Sequence, residues 1–191
     1  RSIRGIDERL STDLTGHTPY GLSKFVGDLY AQEYGFSYGL RTAVFRMSCI
    51  YGPRQFGFED QGWLAWFMIS ALQGRTVSIY GDGKQVRDVL YVKDLIRLMK
   101  RFYHSKVQSG VWNVGGGSGR SLSLLELVDW IQKRTKKPMR LQYRGWRPKD
   151  QKVYISDISK VSKALGWKPE STVRQGVASL FEWIETHQDL F

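Results

Sequence analysis

The sequence predicts an α/β fold, in which helices alternate with mostly parallel strands. Leu22, Phe25, Val26 and Leu29 recur at the spacing of one helix face, which is predicted to pack inward. The mostly apolar run at residues 42–47 follows, with the length and composition of a strand buried in a parallel sheet. A helix followed by a strand is half of the repeating unit of an α/β layout, so this order predicts the fold class.

The first helix is bounded by residues that favour its two ends. Residues 1–16 are polar and lack periodicity, so they are predicted to form a loop. Residues 17–19 limit where the helix can start, since their proline favours a first helical turn. The apolar face continues to about Tyr34, and Gly35 and Gly39 are predicted to break the pattern.

A long irregular loop is predicted at residues 48–62, directly after the carboxyl end of the first strand. Open α/β sheets bind ligands at that edge. A second helix follows the loop and is closed by Gly74. Its inward side chains are predicted to be Leu64, Phe67, Met68 and Ala71.

The middle of the chain predicts two short strands, at residues 77–80 and 86–92, joined by a glycine-containing turn at residues 81–83. A third helix follows, and then a strand at residues 111–114. The inward face of that helix is predicted to consist of Leu95, Leu98, Met99 and Phe102.

The glycine-rich stretch at residues 115–120 lies between a predicted strand and a predicted helix, where a dinucleotide-binding turn could stand. That fingerprint requires the spacing G-x-G-x-x-G and an acid about twenty residues later. Arg120 and Leu122 do not fit this pattern. A structural turn is therefore the preferred interpretation.

The C-terminal third predicts three helices. Ser123 and Glu126 have the spacing of a capping box at the start of the first, which residues 136–138 end. A short helix precedes Gly166, and a longer one closes the chain. The inward residues of the three helices are, in order, Leu124, Leu127, Val128 and Ile131; Val161 and Leu165; and Val173, Val177, Leu180, Phe181 and Ile184.

Length and composition indicate one compact domain over residues 1–191, since 41% of the residues are hydrophobic and 14% aromatic. No apolar stretch approaches the ~20 residues of a membrane span, and the first residues lack the apolar core of a signal peptide. A cytoplasmic protein is therefore expected. Cys49 is the only cysteine, which excludes an intrachain disulfide and a Cys-based metal cluster. A small apolar strand residue is its preferred interpretation.

The formal net charge of +11 is large and needs an explanation, such as an anionic partner. Nine basic residues lie close together, against one acid, Asp150: Lys133, Arg134, Lys136, Lys137, Arg140, Arg144, Arg147, Lys149 and Lys152. A solvated face, a diphosphate site and a nucleic-acid surface are all compatible with this run. Nucleic acid is the least favoured, because the stretch matches no helix-turn-helix, RNA-recognition or zinc-finger pattern.

Tyr20 and Lys24 are four residues apart, so on a helix they project from the same face. An ammonium beside a phenol favours the phenolate, which lets a tyrosine exchange protons with a substrate hydroxyl. Such a pair also arises by chance on exposed helix faces. The spacing alone is therefore weak evidence for catalysis.

Four segments together give that pair a context. They are the Y-x-x-x-K run at residues 20–24, F-R-M-S-C-I-Y-G-P-R at 45–54, G-D-G-K-Q-V-R-D-V-L-Y-V-K-D-L at 81–95, and W-N-V-G-G at 112–116. The chain resembles the extended short-chain dehydrogenase/reductases, the NAD-dependent epimerase/dehydratase family. This resemblance implies the C-terminal part of an extended Rossmann-type fold with its substrate-binding subdomain.

The resemblance also implies functional roles. Tyr20 would be the general base for a sugar hydroxyl, and Lys24 would hold the nicotinamide ribose of NAD. The residues implied to contact the cofactor are Tyr20, Lys24, Arg46, Ser48, Cys49 and Tyr51. The residues implied to bind the sugar nucleotide are Arg54, Gln61, Trp63, Tyr80, Gln85, Arg87, Arg147 and Asp150. Arg87 and Arg147 would grip the diphosphate, although each could equally be a surface ion-pair partner.

Within the family, several segments are most similar to enzymes that act on a CDP-sugar at C2. The family's glycine-rich NAD turn, in its first half, has no counterpart here, so we expect a C-terminal half that is inactive alone and forms a homo-oligomer when complete. Three hypotheses remain open. They are a CDP-sugar 2-epimerase, a related nucleotide-sugar 4-epimerase or 4,6-dehydratase, and a non-catalytic module that binds nucleotide sugar or nucleic acid.

Overall fold

The computed structural model describes residues 5–11, 18–147 and 150–191. Within this part of the chain the fold is α/β, as predicted. The helices are α1 (Pro19–Tyr38), α2 (Trp63–Leu72), α3 (Val92–His104), α4 (Leu124–Thr135), α5 (Ser159–Leu165) and α6 (Val173–Thr186), followed by a 3-10 turn (Gln188–Leu190). The strands are β1 (Thr42–Met47), β2 (Cys49–Tyr51), β3 (Thr76–Tyr80), β4 (Val86–Tyr91), β5 (Ser109–Val114), β6 (Ser121–Ser123), β7 (Arg140–Arg144) and β8 (Val153–Tyr154).

The strands form three small sheets that are mostly parallel. β1 pairs with β5, from Thr42 opposite Ser109 to Met47 opposite Val114. β3 pairs with β7, and β4 is bordered by β2, by β8 and by the antiparallel β6. The two strands predicted at residues 77–80 and 86–92 therefore exist but do not pair with each other. The turn between them carries the chain from one sheet to the next.

Helix α1 begins as predicted and ends later. The Thr18 side chain accepts a hydrogen bond from the Gly21 N–H, and Gly39 ends the helix in the left-handed conformation at φ 64°. Gly35 lies inside the helix, so the prediction that it breaks the pattern is wrong; an internal glycine costs only about 1 kcal/mol. The prediction that the face containing Leu22 and Leu29 packs inward is also wrong. Both side chains are nearly half exposed, because among the described residues α1 packs mainly against β1 and β5.

Two clusters of buried side chains form the core. The larger joins α2, α4 and α6 to β2, β3 and β4, and the smaller lies between α3, α5 and β5. Trp167 is fully buried in the smaller cluster, and its indole N–H donates to the backbone carbonyl of Asp94. The Asp94 carboxylate accepts hydrogen bonds from the backbone N–H groups of Glu170 and Ser171. The Asp94 carboxylate thus fixes the turn before α6.

The helix ends in the C-terminal third follow the sequence signals. The predicted capping box of Ser123 and Glu126 is present at the start of α4, and Thr172 forms a second one at the start of α6. Lys136 ends α4 in the left-handed conformation, at φ 56°. Of the residues predicted to face inward in α2 to α6, most are buried. Met99 is exposed, and Ala71, Phe102, Leu124 and Val173 are partly buried.

The short strands account for most of the differences from prediction. The loop predicted at residues 48–62 contains β2, and Val92 opens α3 rather than ending a strand. β6, β7 and β8 were not predicted. β6 and β8 have three and two residues, which is too few to show periodicity, so these two strands are defined by the partner that they meet and not by their own sequence.

Two further properties concern only the residues that the structure describes. None of their helices is long and apolar enough to cross a membrane. They include no group of three or more His, Cys, Asp or Glu side chains placed to hold a metal ion. The loop predicted at residues 1–16 falls partly outside the described ranges, since 1–4 and 12–16 are not among them.

Two helical glycines provide a test of the packing between α6 and β2. A Cβ atom added to Gly176 would lie 2.3 Å from the hydroxyl oxygen of Tyr51, whereas one added to Gly27 would meet nothing within 4 Å. We expect Gly176→Ala to destabilise the protein by about 1–3 kcal/mol, because Tyr51 is buried and cannot move aside. Gly27→Ala should instead be neutral or stabilising by up to about 1 kcal/mol. Thermal unfolding followed by circular dichroism checks both; equal midpoints for the two variants would contradict the overlap.

Candidate active site and nucleotide-sugar site

The Tyr20–Lys24 pair lies at an open cleft between α1 and β1, here called the α1 cleft, with a volume of about 660 Å³. Proline at the first position of α1 places Tyr20 in the first turn, and Lys24 follows one turn later on the same face. The Lys24 Nζ is 5.3 Å from the centroid of the Tyr20 ring. Arg46 from β1 and Tyr154 from β8 also line the cleft. A phenol and an ammonium thus share one accessible wall.

Arg46, implied to contact the cofactor, is bound to helix α1. Its Nε lies 2.7 Å from Oδ2 of Asp28, and Gln32 donates to the other carboxylate oxygen at 2.5 Å. Asp28 is one turn beyond Lys24, so Tyr20, Lys24 and Asp28 lie along one face of α1. The ion pair joins α1 to β1. The sequence analysis did not single out Asp28, although the i, i+4 spacing from Lys24 was a signal.

Ser48 and Cys49 follow β1 at the carboxyl end of the sheet. The Ser48 hydroxyl donates to the backbone carbonyl of Asp88 at 2.6 Å, and also to its carboxylate. Asp88 is fully buried and accepts a further bond from the Gly117 N–H at 3.1 Å. Cys49 packs against the larger core, where burial raises the pKa of its thiol. This placement agrees with a small apolar strand residue.

Tyr51 was implied to contact the cofactor, and the structure does not support this for its side chain. The residue is 2% exposed, and its hydroxyl donates to the backbone carbonyl of Val173 on α6. Burial raises the pKa of the phenol, which is therefore held as a neutral donor. The ring faces the core because the three-residue strand β2 turns alternate side chains to opposite sides.

A second, narrower cleft of about 180 Å³ lies between the loop before α2, the ends of β3 and β4, and the segment after β7. We call it the substrate cleft, after the residues that the resemblance implies bind substrate. Seven of the eight residues implied to bind the sugar nucleotide line it: Gln61, Trp63, Tyr80, Gln85, Arg87, Arg147 and Asp150. The eighth, Arg54, is exposed, has left-handed backbone at φ 69° and does not line the cleft.

The inner part of the substrate cleft is tied together by polar contacts. The Arg87 Nη2 lies 2.8 Å from Oδ1 of Asp150, and both side chains are partly buried. Gln85 is 4% exposed and donates to the backbone carbonyl of Tyr80. Its amide nitrogen is also 3.5 Å from the second oxygen of Asp150. The Gln85 amide oxygen is buried and has no partner among the described residues, so it is free to accept a bond from a ligand.

The outer part of the cleft is built around Arg147. Its guanidinium carbon lies 4.0 Å from the centroid of the Tyr80 ring, and its Nη2 lies 2.9 Å from Oδ1 of Asp60. The Tyr80 hydroxyl donates to the Glu59 carboxylate at 3.0 Å. The sequence analysis missed both acids, because Arg147 is far from them in the chain and no local pattern links them.

The basic run at residues 133–152 does not converge on one surface site. Arg147 enters the substrate cleft, whereas Lys133 pairs with Asp129 at 2.6 Å and Arg134 with Glu185 at 3.8 Å. Arg144 of β7 donates to the hydroxyl of Ser78 on β3. Lys149 lies outside the described residues. This spread is more typical of a solvated face with one inward arginine than of a continuous nucleic-acid surface.

The turn at residues 115–119 has a structural role. It leads from β5 into the short strand β6 and not directly into a helix. The Gly117 N–H already donates to the Asp88 carboxylate, and a Cβ at Gly115 would lie 2.1 Å from that carboxylate. The turn thus closes around a protein acid, which takes up the Gly117 N–H.

The fold is that of the C-terminal part of an extended Rossmann-type protein of the short-chain dehydrogenase/reductase class. The chain belongs to the NAD dependent epimerase/dehydratase family, whose sequence model matches residues 3–115.

The curated relatives of the chain span several sugar-nucleotide activities. It is 40% identical over 186 residues to the CDP-paratose 2-epimerase of Salmonella typhi, covering 94% of this chain and 54% of that protein. It is 31% identical over 183 residues to dTDP-glucose 4,6-dehydratase 1 of Escherichia coli (strain K12), covering 91% of this chain and 50% of that one. The chain therefore spans about half the length of the curated relatives that it matches.

Solved structures show the same fold. The UDP-glucuronic acid 4-epimerase of Bacillus cereus, in complex with UDP-glucuronic acid and NAD, superposes with a TM-score of 0.79 at 26% identity. That match covers 95% of this chain and 58% of the other. The UDP-glucose 4-epimerase of Thermotoga maritima, with UDP-glucose, gives a TM-score of 0.78 at 30% identity, covering 91% and 55%.

Proposed function

We propose that this chain supplies the catalytic tyrosine and the substrate cleft of an NAD-dependent epimerase that acts on a CDP-sugar at C2. The observation that carries the proposal is the convergence of seven implied substrate residues on one cleft, while Tyr20 and Lys24 share another. Family membership supports the reaction class. The 40% identity to a CDP-paratose 2-epimerase, against 31% to a dTDP-glucose 4,6-dehydratase, supports the CDP-sugar.

The substrate cleft suits a nucleoside diphosphate attached to a sugar. Arg87 and Arg147 come from different segments and line the same cleft, so a diphosphate between them would meet two guanidinium groups. The unpaired Gln85 oxygen would accept a hydrogen bond from a hydroxyl or amino group of the ligand. Trp63 and Tyr80 add aromatic surface against which a sugar or base can pack.

The α1 cleft fits the nicotinamide end of NAD. Lys24 is placed to donate to ribose hydroxyls, and its Nζ lies 5.3 Å from the centroid of the Tyr20 ring. Tyr20 would then take the proton from the sugar C2 hydroxyl at its phenol oxygen and later return it. When bound, NAD would accept a hydride from the sugar carbon and return it to the other face of that carbon.

A related 4-epimerase or 4,6-dehydratase would use the same Tyr20 and Lys24, so the substrate cleft must distinguish the alternatives. The distinguishing measurement is the product. When the chain replaces the matching segment of the Salmonella typhi relative, we expect NMR to show inversion at C2 of the CDP-sugar. Inversion at C4, or loss of water from a dTDP-sugar, would replace the proposed substrate by one of the alternatives.

Binding to the chain itself gives a simpler test. The contacts proposed for NAD among the described residues lie at its nicotinamide end, whereas both arginines proposed for the sugar nucleotide are present. We therefore expect calorimetry to detect CDP binding that weakens with added salt, and NAD binding that is much weaker. Micromolar binding of NAD together with no binding of CDP would contradict this assignment of the two clefts.

A further inference from the structure

The two arginines of the substrate cleft are each paired with an acid, and the two pairs differ in kind. Arg87 and Asp150 are both partly buried, and Asp150 is also approached by the Gln85 amide. The side chains of Arg147 and Asp60 are 37% and 76% exposed. An exposed ion pair is weak because water competes for both charges. The outer pair, Arg147–Asp60, therefore separates far more readily than the inner pair, Arg87–Asp150.

Asp60 stands at the tip of a loop whose base is fixed. Phe58 and Gln61 exchange two backbone hydrogen bonds, of 2.9 and 3.0 Å, and so close a tight turn around Glu59 and Asp60. Behind this turn, Phe56 packs on Trp183 with ring centroids 5.7 Å apart, which anchors the loop to α6. The turn is therefore held in place from behind, and its two acids reach across the mouth of the cleft.

Those two acids contact opposite parts of one aromatic–cation stack. Glu59 accepts from the Tyr80 hydroxyl, and Asp60 pairs with Arg147, which lies over the Tyr80 ring. The Asp60 carboxylate therefore occupies some of the N–H donors of the Arg147 guanidinium. An incoming phosphate needs the same donors and carries charge of the same sign.

From this geometry we propose that Asp60 is an internal competitor for Arg147: an acidic latch that the diphosphate of the substrate displaces on binding. The proposal rests on the substrate cleft being a diphosphate site. Rotation of the Asp60 side chain away from Arg147 opens the latch, while the Arg87–Asp150 pair stays in place. Asp60 thereby lowers the affinity for the sugar nucleotide and for its product, and it speeds their release.

Asp60→Asn tests the latch by removing the competing charge at nearly constant shape. We expect the Kd of the variant chain for CDP, measured by calorimetry, to fall by roughly threefold, within the factor of about five that an exposed ion pair can supply. The Kd for CMP, which lacks the second phosphate, should change much less.

Asp82→Asn is the matched control. Asp82 is also exposed, lies in the turn between β3 and β4, and accepts a backbone bond from Lys84 that asparagine can keep. It does not line the substrate cleft. A general charge effect would tighten CDP and CMP alike in both variants, and that result would overturn the latch.

The outcomes separate the latch from the function on which it rests. CDP binding that is lost in Arg147→Ala but is unchanged or weaker in Asp60→Asn would overturn the latch alone. Failure of the parent chain and of Asp60→Asn to bind CDP would overturn the proposed function, and the latch with it. A tighter CDP complex in Asp60→Asn that is absent in Asp60→Asn/Arg147→Ala would support both.

Discussion

Tyr20→Phe is expected to abolish most turnover while leaving the binding of the sugar nucleotide almost unchanged. The substitution removes one oxygen from an exposed ring at the α1 cleft and disturbs no packing. General acid–base catalysis contributes about 10²–10⁴-fold to a rate, so kcat should fall within that range. The measurement is steady-state turnover in the chimera in which this chain replaces the matching segment of the Salmonella typhi relative, together with calorimetry of CDP on the chain itself.

Two variants of the same helix serve as controls for Tyr20→Phe. Tyr30 is also exposed on α1 but does not line the α1 cleft, so Tyr30→Phe should leave kcat within about twofold of the parent. Lys24→Ala should lower kcat and also raise the KM for NAD, because it removes both the ribose donor and the charge beside the phenol. Comparable turnover for Tyr20→Phe and the parent would refute the role of Tyr20 as the base.

The regular elements of the fold could be predicted because their signals are local. A capping box at Ser123 and a proline before Tyr20 fix helix starts through contacts within one turn. The run at residues 42–47 predicted β1 because it is mostly apolar and of strand length, although the strand is only partly buried among the described residues. Strands such as β8, two residues long, follow from pairing with β4 across the sheet, and no local pattern encodes that pairing.

The burial of side chains was harder to predict than the positions of helices and strands. The apolar face of α1 has the correct period, yet its side chains are largely exposed among the described residues. Periodicity identifies which side chains share one face of a helix, but it does not show whether other parts of the chain pack against that face. Tyr51 shows the opposite error, since its place in a family motif implied a ligand contact and its ring packs into the core.

The resemblance predicted seven residues that line the substrate cleft, including Asp150, the acidic partner of Arg87, but not the two acids Glu59 and Asp60. Motif residues such as Arg87 and Arg147 were named from the sequence, and they line one cleft. Asp28, Asp60 and Asp88 were assigned no role, although each one is bonded to a residue that was. These contacts join positions 18 to 87 residues apart, and local sequence patterns do not show which of such distant positions pair.

Arg87→Ala and Arg147→Ala are expected to weaken the binding of CDP, each by about 1.5–3 kcal/mol, the range for a hydrogen bond to a charged group. We expect Arg87→Ala to cost more. Its loss leaves Asp150 partly buried, without its cation and close to the incoming phosphates. Arg147→Ala leaves Asp60 exposed to water, which solvates it at little cost. Calorimetry of CDP and of CMP on the parent and on both variants measures the two losses.

The comparison with CMP identifies what the two arginines bind. If the two arginines clamp a diphosphate, removal of either should weaken the binding of CDP more than that of CMP. The reason is that CMP lacks the second phosphate and makes fewer contacts with the arginines. Lys133→Ala is the matched control, since Lys133 is exposed, pairs with Asp129 and lies outside the substrate cleft. Thermal unfolding of each variant shows whether a loss of binding reflects a loss of fold. Equal losses for CMP and CDP in folded Arg87→Ala and Arg147→Ala would mean that neither arginine is a diphosphate clamp.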